Sequence, residues 1–151
     1  MEGLSALSER HGTPAISPPP LDAAEYQWRV LADWQELLLG PQGFRLREWL
    51  ARGEAKIVKH GPHRTVYRVD LAERAFFVKH YRCPALLDSG RHLVRASASE
   101  REYQRAVEVS RRRVPTVTPV AVGERRRHGV IGENFLVTEA IPASCSLEDY
   151  V

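Results

Sequence analysis

The stretch FFVKHYR, residues 76–82, decides the fold, because it places a lysine inside a run of aromatic and β-branched side chains. Such a run is typical of a β-strand that buries apolar side chains. Lys79 is therefore either a lysine at the point where the strand reaches solvent or a cation that points into a cleft to hold an anion. The sequence on either side of the strand is needed to separate these two interpretations.

The size and charge of the chain limit what it can be. Its 151 residues, 43% of them hydrophobic, suit one small globular domain. The net charge is +3, but residues 91–127 hold ten arginines and four glutamates, a local charge of +6 that leaves −3 for the rest. A basic segment of this kind attracts nucleic acid, anionic lipid or phosphorylated sugar, unless it is simply the solvated face of a helix.

Cysteine usage and hydropathy indicate the compartment. Cys83 and Cys145 lack CxxC spacing, so we expect reduced thiols of a cytosolic protein. The N-terminus is not a secretory signal, and no apolar run approaches the roughly 18 residues of a membrane span. We therefore expect a cytoplasmic protein whose membrane association, if it has one, is peripheral at the inner membrane.

The N-terminal third divides into two parts. Residues 1–20 are rich in serine and proline, which predicts a disordered arm. Residues 21–53 are predicted to be a helical extension with two helices, the first stopped at Gly40-Pro41 and the second within FRLREWLARG, residues 44–53. The first helix is predicted from apolar residues at steps of three and four, namely Trp28, Leu31, Trp34 and Leu38.

From residue 54 the pattern changes to short strands. AKIVKH, TVYRVDL and AFFVKHY are separated by the turn segments HGPHR and AER, which predicts an antiparallel meander. Two overlapping capping signals, Ser97 before Glu100 and Ser99 before Glu102, then predict a helix that runs to about Arg112. Glu100 and Glu102 flank the apolar stripe of this helix, so either of them can reach inward.

Beyond the helix, the segment RVPTVTPVAVGE is extended because its two prolines exclude a helix. RRRHG is predicted to be a hairpin tip, NFLVTEAI a strand, and SLEDYV the start of another helix.

The order of three strands, a helix, two strands and a linker resembles the N-terminal lobe of protein-kinase-like folds. More narrowly, it resembles the bacterial lipopolysaccharide core kinases, which phosphorylate heptose or Kdo sugars. The resemblance covers roughly residues 55–151 and is carried by RTVYRVDL, FFVKHYR, EREYQRAVEVSRRRVPTVTPVAVGE and NFLVTEAIPASCSLEDYV. It implies an α+β fold over residues 54–141, with an antiparallel five-stranded sheet and one αC-type helix, and a hinge exit and first C-lobe helix over residues 142–151.

The same resemblance implies roles for two charged residues. Lys79 would bind the phosphates of ATP, and Glu102 would orient the lysine through a charge-assisted hydrogen bond. Periodicity alone leaves Glu100 open as the partner. In this interpretation the rigid strand matters, because a lysine on a flexible segment would sample many rotamers.

The resemblance also implies a set of nucleotide contacts around the lysine. Protein kinases cover the phosphates with a glycine-rich loop, but the corresponding turn KHGPHRTV keeps only one glycine, so His63 or Arg64 would have to supply charge instead. Phe77 occupies a position that protein kinases often fill with a small residue, and would narrow the pocket. The predicted nucleotide contacts beside Lys79 are Gly61, Arg64, Val66 above the adenine, Thr138 behind it, and the main chain of Glu139 and Ile141.

Catalysis needs groups that this sequence does not show. None of the five aspartates lies in an HxD or DFG-like setting, so Mg²⁺ is expected only together with a C-lobe. We therefore predict that the chain as given does not transfer phosphate, and that it is the front part of an enzyme acting on a sugar hydroxyl of a glycolipid.

Two alternatives remain. The chain could be a non-catalytic kinase-like module that binds a nucleotide or a partner. It could instead be a small basic protein that binds nucleic acid. The second alternative is disfavoured because no helix-turn-helix, RNP or zinc-finger pattern is present and no aromatic residues alternate with the arginines.

Overall fold

A computed structural model of the chain describes residues 26–82, 96–127 and 130–142. Eight strands and three helices lie in these ranges. In chain order they are β1 (Tyr26–Val30), α1 (Ala32–Leu38), β2 (Leu39–Gly40), β3 (Gly43–Phe44), α2 (Leu46–Ala51), β4 (Ala55–His60), β5 (Arg64–Asp70), β6 (Ala75–Tyr81), α3 (Ala98–Arg111), β7 (Pro119–Arg127) and β8 (Val130–Glu139).

The main sheet is antiparallel and has six strands in the order β1-β7-β8-β6-β5-β4, while β2 and β3 form a separate two-stranded ladder. The prediction of a mixed fold built on an antiparallel sheet is confirmed. The prediction of five strands is wrong, because the N-terminal segment adds β1 to the edge of the sheet beside β7.

The prediction of a helix across residues 26–30 is also wrong, because these residues form strand β1. In YQWRV, Tyr26 and Trp28 turn to the inside and Gln27 and Arg29 to the outside, which is the two-residue period of a strand. Only the later part of the predicted helix forms, as α1, where Trp34 and Leu38 are buried. The 21–53 extension is therefore only partly helical.

Within the described residues, most of the other predicted elements agree with the structure, but the arginines of the predicted RRRHG tip belong to β7. The second N-terminal helix forms as α2, and the strand AFFVKHY forms over its full predicted length as β6. Helix α3 begins after Ser97, whose side chain accepts a hydrogen bond from the Glu100 amide. The 1–20 arm, both cysteines, the last two residues of RRRHG (128–129) and the 143–151 segment lie outside the described residues.

The two faces of the main sheet differ in how deeply their side chains are buried. Along β6, Phe76, Val78 and His80 are buried, whereas Phe77, Lys79 and Tyr81 are only partly covered. Phe76 meets Trp34 of α1 and Trp49 of α2 edge-to-face, with ring centroids 5.6 and 5.2 Å apart. The N-terminal elements thus cover the even-numbered face of β6 with the aromatic core, and the odd-numbered face is left for α3.

A glycine on β7 allows the edge strand to pack closely. Gly123 is paired with Trp28, and a Cβ atom added at Gly123 would lie 2.7 Å from three atoms of the indole. The indole also packs on Phe44 and Phe135, with centroids 4.6 and 5.9 Å away. The missing side chain of Gly123 therefore gives Trp28 its place in the core.

Candidate functional site

The site lies on the odd-numbered face of β6, where register brings side chains from three strands into one row. Lys79 is paired with Val66 on β5 and with Leu136 on β8. Paired residues of antiparallel strands project from the same face, so Val66 and Leu136 flank the lysine. This apolar setting on a central strand holds Lys79 in place.

Helix α3 lies across this face and brings a carboxylate to the lysine. The ammonium of Lys79 donates a hydrogen bond to Glu102 Oε1 and forms an ion pair with it. The two side chains are 22% and 36% exposed, so the pair is partly shielded and still reachable from solvent. Of the two glutamates that periodicity left open, the structure joins Glu102 to Lys79, whereas Glu100 pairs with Arg29 on β1.

A third residue, Tyr81, belongs to the same group and was not predicted from the sequence. Its hydroxyl donates to the other carboxylate oxygen of Glu102. Burial and this hydrogen bond raise the pKa of Tyr81 to about 12, which keeps the phenol a donor at neutral pH. The available signal was its spacing, because a residue two positions after Lys79 on a strand projects from the same face.

The carboxylate of Glu102 is held in its charged form. Partial burial alone would raise the pKa of Glu102, but hydrogen bonds from Lys79 and Tyr81 outweigh burial and bring the pKa below its ordinary value of 4.5. Arg64 contributes in the same direction through its charge. Glu102 is thus an anion fixed by two donors, which is the arrangement that orients a lysine.

The turn between β4 and β5 carries Gly61 and leads into Arg64, two of the predicted nucleotide contacts. Arg82, the residue after β6, holds this turn through hydrogen bonds. Arg82 donates to the carbonyl of Gly61 and to Thr65 Oγ1, both at 2.9 Å, and the Arg82 amide donates to the His63 carbonyl at 2.9 Å. The guanidinium of Arg64 lies 5.9 Å from the centre of the Tyr81 ring, which places its charge next to the Lys79–Glu102 pair. Arg82 was not among the residues predicted from the sequence.

The segment after β8 borders a groove of about 380 Å³. Glu139, Ile141 and Arg68 line this groove, and Thr138 is buried beside it at the end of the strand. Two hydrogen bonds fix the segment, one from the Glu139 amide to the Thr118 carbonyl at 2.9 Å and one from the Ala140 amide to the Ala75 carbonyl at 3.0 Å.

Phe77, which was predicted to narrow the nucleotide pocket, lies on the same face of the sheet as Lys79. Phe77 is paired with Arg68 and with Thr138, so all three side chains project from the face that carries Lys79. The guanidinium of Arg68 lies 5.6 Å from the centre of the Phe77 ring and is held by Asp70. An aromatic ring and an arginine therefore stand beside the groove.

The described residues do not offer a metal centre. Among them, no group of three or more histidine, cysteine, aspartate or glutamate side chains is arranged to hold a metal ion. The residues that the structure brings together are thus one carboxylate and several cations, a set suited to an anion and not to a divalent cation.

Comparisons with known proteins give one informative likeness. No protein-family model matches the chain, and no curated protein matches it. A solved structure, "WaaP in complex with acyl carrier protein", is similar with a TM-score of 0.50 and 21% sequence identity, over 82% of this chain and 44% of the WaaP chain. At that identity the likeness shows a shared fold, and this chain spans less than half the length of that one.

Proposed function

We propose that the chain is the ATP-binding lobe of a phosphotransferase that resembles the lipopolysaccharide core kinases. The observation that carries the proposal is the ion pair between Lys79 on β6 and Glu102 on α3, set on the sheet face that leads to the groove at residues 139–142. The fold is shared with the solved structure of WaaP. The Lys79–Glu102 ion pair and the shared fold are two separate observations that support this proposal.

The charge around the lysine suits a polyphosphate. Lys79 and Arg64 contribute two positive charges and Glu102 one negative charge, so this group of three carries a net charge of +1. Since the group is only partly buried, an anion can approach it without a large desolvation cost. In this proposal Glu102 and Tyr81 orient the lysine, and the ammonium and guanidinium bind the phosphates.

The base of the nucleotide would lie in the groove beside residues 139–142. Val66 is proposed to cover the adenine, Thr138 to stand behind it, and the main chain of Glu139 and Ile141 to bind its edge. The pinned turn at Gly61 would lie over the phosphates in place of a flexible glycine-rich loop. Because Arg82 already fixes that turn, little ordering entropy would be lost when ATP binds.

Phosphoryl transfer requires more than these residues. A base and Mg²⁺ ligands are needed, and the carboxylates of the described residues do not form a Mg²⁺ site. We therefore propose that this chain binds the nucleotide and that catalysis depends on residues of a second lobe.

The acceptor is proposed to be a sugar hydroxyl of a glycolipid at the membrane surface. A groove of about 480 Å³ on the outer side of α3 is lined by Arg101, Arg105 and Arg112 together with Glu108, and this excess of positive charge suits phosphates or anionic headgroups. No helix within the described residues is long and apolar enough to cross a membrane, so the contact would be peripheral. WaaP was solved with acyl carrier protein, and a protein partner is proposed here as well.

A second candidate is a kinase-like module that binds a partner without catalysis. Arg68 and Phe77 favour it, because they stand where an adenine would enter the groove. If they keep the base out, the chain retains the fold of a nucleotide-binding lobe and does not bind ATP.

The deciding experiment is titration of the chain with ATP, with and without Mg²⁺, by calorimetry or amide chemical shifts. Lys79→Met is expected to weaken ATP binding by about 10- to 100-fold, since hydrogen bonds to charged groups contribute roughly 1.5–3 kcal/mol. Lys59→Met is the matched control, because Lys59 is an exposed lysine on β4. Equal affinity of wild type and Lys79→Met would refute the lysine assignment, and absence of ATP binding by the wild type would favour the non-catalytic module.

A further inference from the structure

The edge strand β1 reaches helix α3 through one side chain. Arg29 and Gln27 project from the same face of the sheet as Lys79, whereas Trp28 projects into the core. Register places Arg29 beside Val122 of β7, next to the helix. Strand β1 thus contributes side chains to both faces of the sheet.

Arg29 contacts α3 at two positions. Its guanidinium pairs with the carboxylate of Glu100 and lies 5.0 Å from the centre of the Tyr103 ring. The other oxygen of Glu100 accepts a hydrogen bond of 2.7 Å from Gln104, one turn further along. Because the guanidinium is planar and engages a carboxylate and an aromatic ring together, it fixes the rotation of the helix as well as its distance from the sheet.

The helix is therefore held from both sides. In the sheet order β1-β7-β8-β6, helix α3 lies over β7 and β8, with Arg29 on β1 at one margin and Lys79 on β6 at the other. Glu100 and Glu102 are the two attachment points and lie within the first turns of the helix. A rotation of α3 that releases one of these ion pairs also displaces the other.

We propose that Arg29 is a positioning residue that fixes α3 so that Glu102 meets Lys79. Strand β1 is then a functional part of the nucleotide site, because it acts on Glu102 through α3. The consequence for ATP rests on the proposed function, whereas the mechanical link between β1 and α3 does not.

The stability of the whole domain is expected to change little when Arg29 is replaced. The Arg29 side chain is 59% exposed and that of Glu100 is 16% exposed, and exposed ion pairs contribute little to global stability. The expected signature is a local change in α3 and in ligand affinity, with a melting temperature within about 2 °C of wild type. A purely structural role would shift the melting temperature instead.

The test compares wild type with Arg29→Gln, Arg29→Lys and the control Arg111→Gln, which removes an exposed arginine at the far end of the same helix. Amide hydrogen exchange over residues 98–104 is expected to accelerate by about two- to tenfold in Arg29→Gln, to recover in part in Arg29→Lys, and to stay unchanged in Arg111→Gln. ATP affinity is expected to fall in the same order, by about two- to tenfold for Arg29→Gln.

Each outcome decides one of the two claims. Unchanged exchange in Arg29→Gln overturns the positioning role, and so does a loss of ATP affinity that merely follows the melting temperature. If the wild-type chain binds no ATP, the proposed function fails, and the exchange data alone still decide whether Arg29 positions the helix.

Discussion

Separate replacement and joint replacement of Lys79 and Glu102 should reveal an interaction energy between them. The variants are Lys79→Met, Glu102→Gln and the double mutant, which nearly preserve side-chain volume and remove the charges. At an effective dielectric constant of about 20, unit charges in contact attract by roughly 4 kcal/mol. Partial exposure, 22% for Lys79 and 36% for Glu102, lets solvent screen much of this attraction. We therefore expect a net coupling of about 1–2 kcal/mol.

The coupling is measured by urea denaturation of the four proteins at neutral pH. The matched control is the Glu108–Arg112 pair on the same helix, whose side chains are 53% and 74% exposed. An exposed pair four residues apart on a helix is expected to couple by about 0.3–0.5 kcal/mol. High salt should reduce the control coupling more than that of the site, because partly buried charges are screened less.

If Lys79 and Glu102 couple no more strongly than the control pair, solvent dominates at the site and the observed contact does not fix the lysine. A large coupling with no effect on ATP binding would instead separate the geometry from the proposed function.

Three further predictions concern stability. The His80 ring nitrogen, 3.8 Å from Glu133 Oε2, and a hydrogen bond from Tyr26 outweigh partial burial and lower the pKa of Glu133. The contribution of Glu133 to stability is therefore present above the ordinary value of 4.5 and is lost as pH falls through the folded pKa, so Glu133→Gln should flatten the acid-side loss of stability seen in denaturation below that pH. Gly123→Ala should destabilise the fold by about 1–3 kcal/mol in urea denaturation, because the new methyl group meets the indole of Trp28. Arg113 follows α3 with a φ of 58°, so Arg113→Gly should raise the melting temperature through a gain of up to about 1 kcal/mol.

The elements whose conformation is set by residues close to them in the sequence were predictable. The strand around Lys79 forms as predicted because its β-branched and aromatic residues alternate within a short hairpin with β5. The start of α3 was predictable because the Ser97 side chain caps the helix locally by accepting a hydrogen bond from the Glu100 amide, and a local signal does not depend on the rest of the fold. The pairing of Lys79 with Glu102 followed from adding the family resemblance to the helical period.

The strand β1 was not predictable in the same way. Trp28 lies three positions before Leu31 and six before Trp34, and these intervals imitate a helix, although Leu31 is 44% exposed. What makes residues 26–30 a strand is pairing with β7, almost a hundred residues away, and the space that Gly123 leaves for the indole. Such a long-range contact leaves no signal within a short window of sequence.

The contacts of Tyr81 and Arg82 were missed for a related reason. Both residues follow Lys79 closely, and alternation along a strand predicts the face from which each projects. Their partners are set by the helix that lies over one face and the turn that folds over the strand end, so Glu102 and Gly61 could not be assigned from the strand alone.

The alternation along β6 gives a rule for separating stability from function in this chain. Phe76 and Val78 pack in the core, so their truncation should reduce stability and affect any ligand only through unfolding. Lys79 and Tyr81 meet α3 at a partly open surface, so their replacement should alter the site while the core stays intact. His80 is the informative exception, because it is buried against Phe135 with its Nε2 atom 3.8 Å from Glu133 Oε2. As an ionisable group on the core side of the strand, it should affect stability and leave ATP affinity unchanged, and a selective loss of affinity in His80→Gln would show that the two faces are coupled.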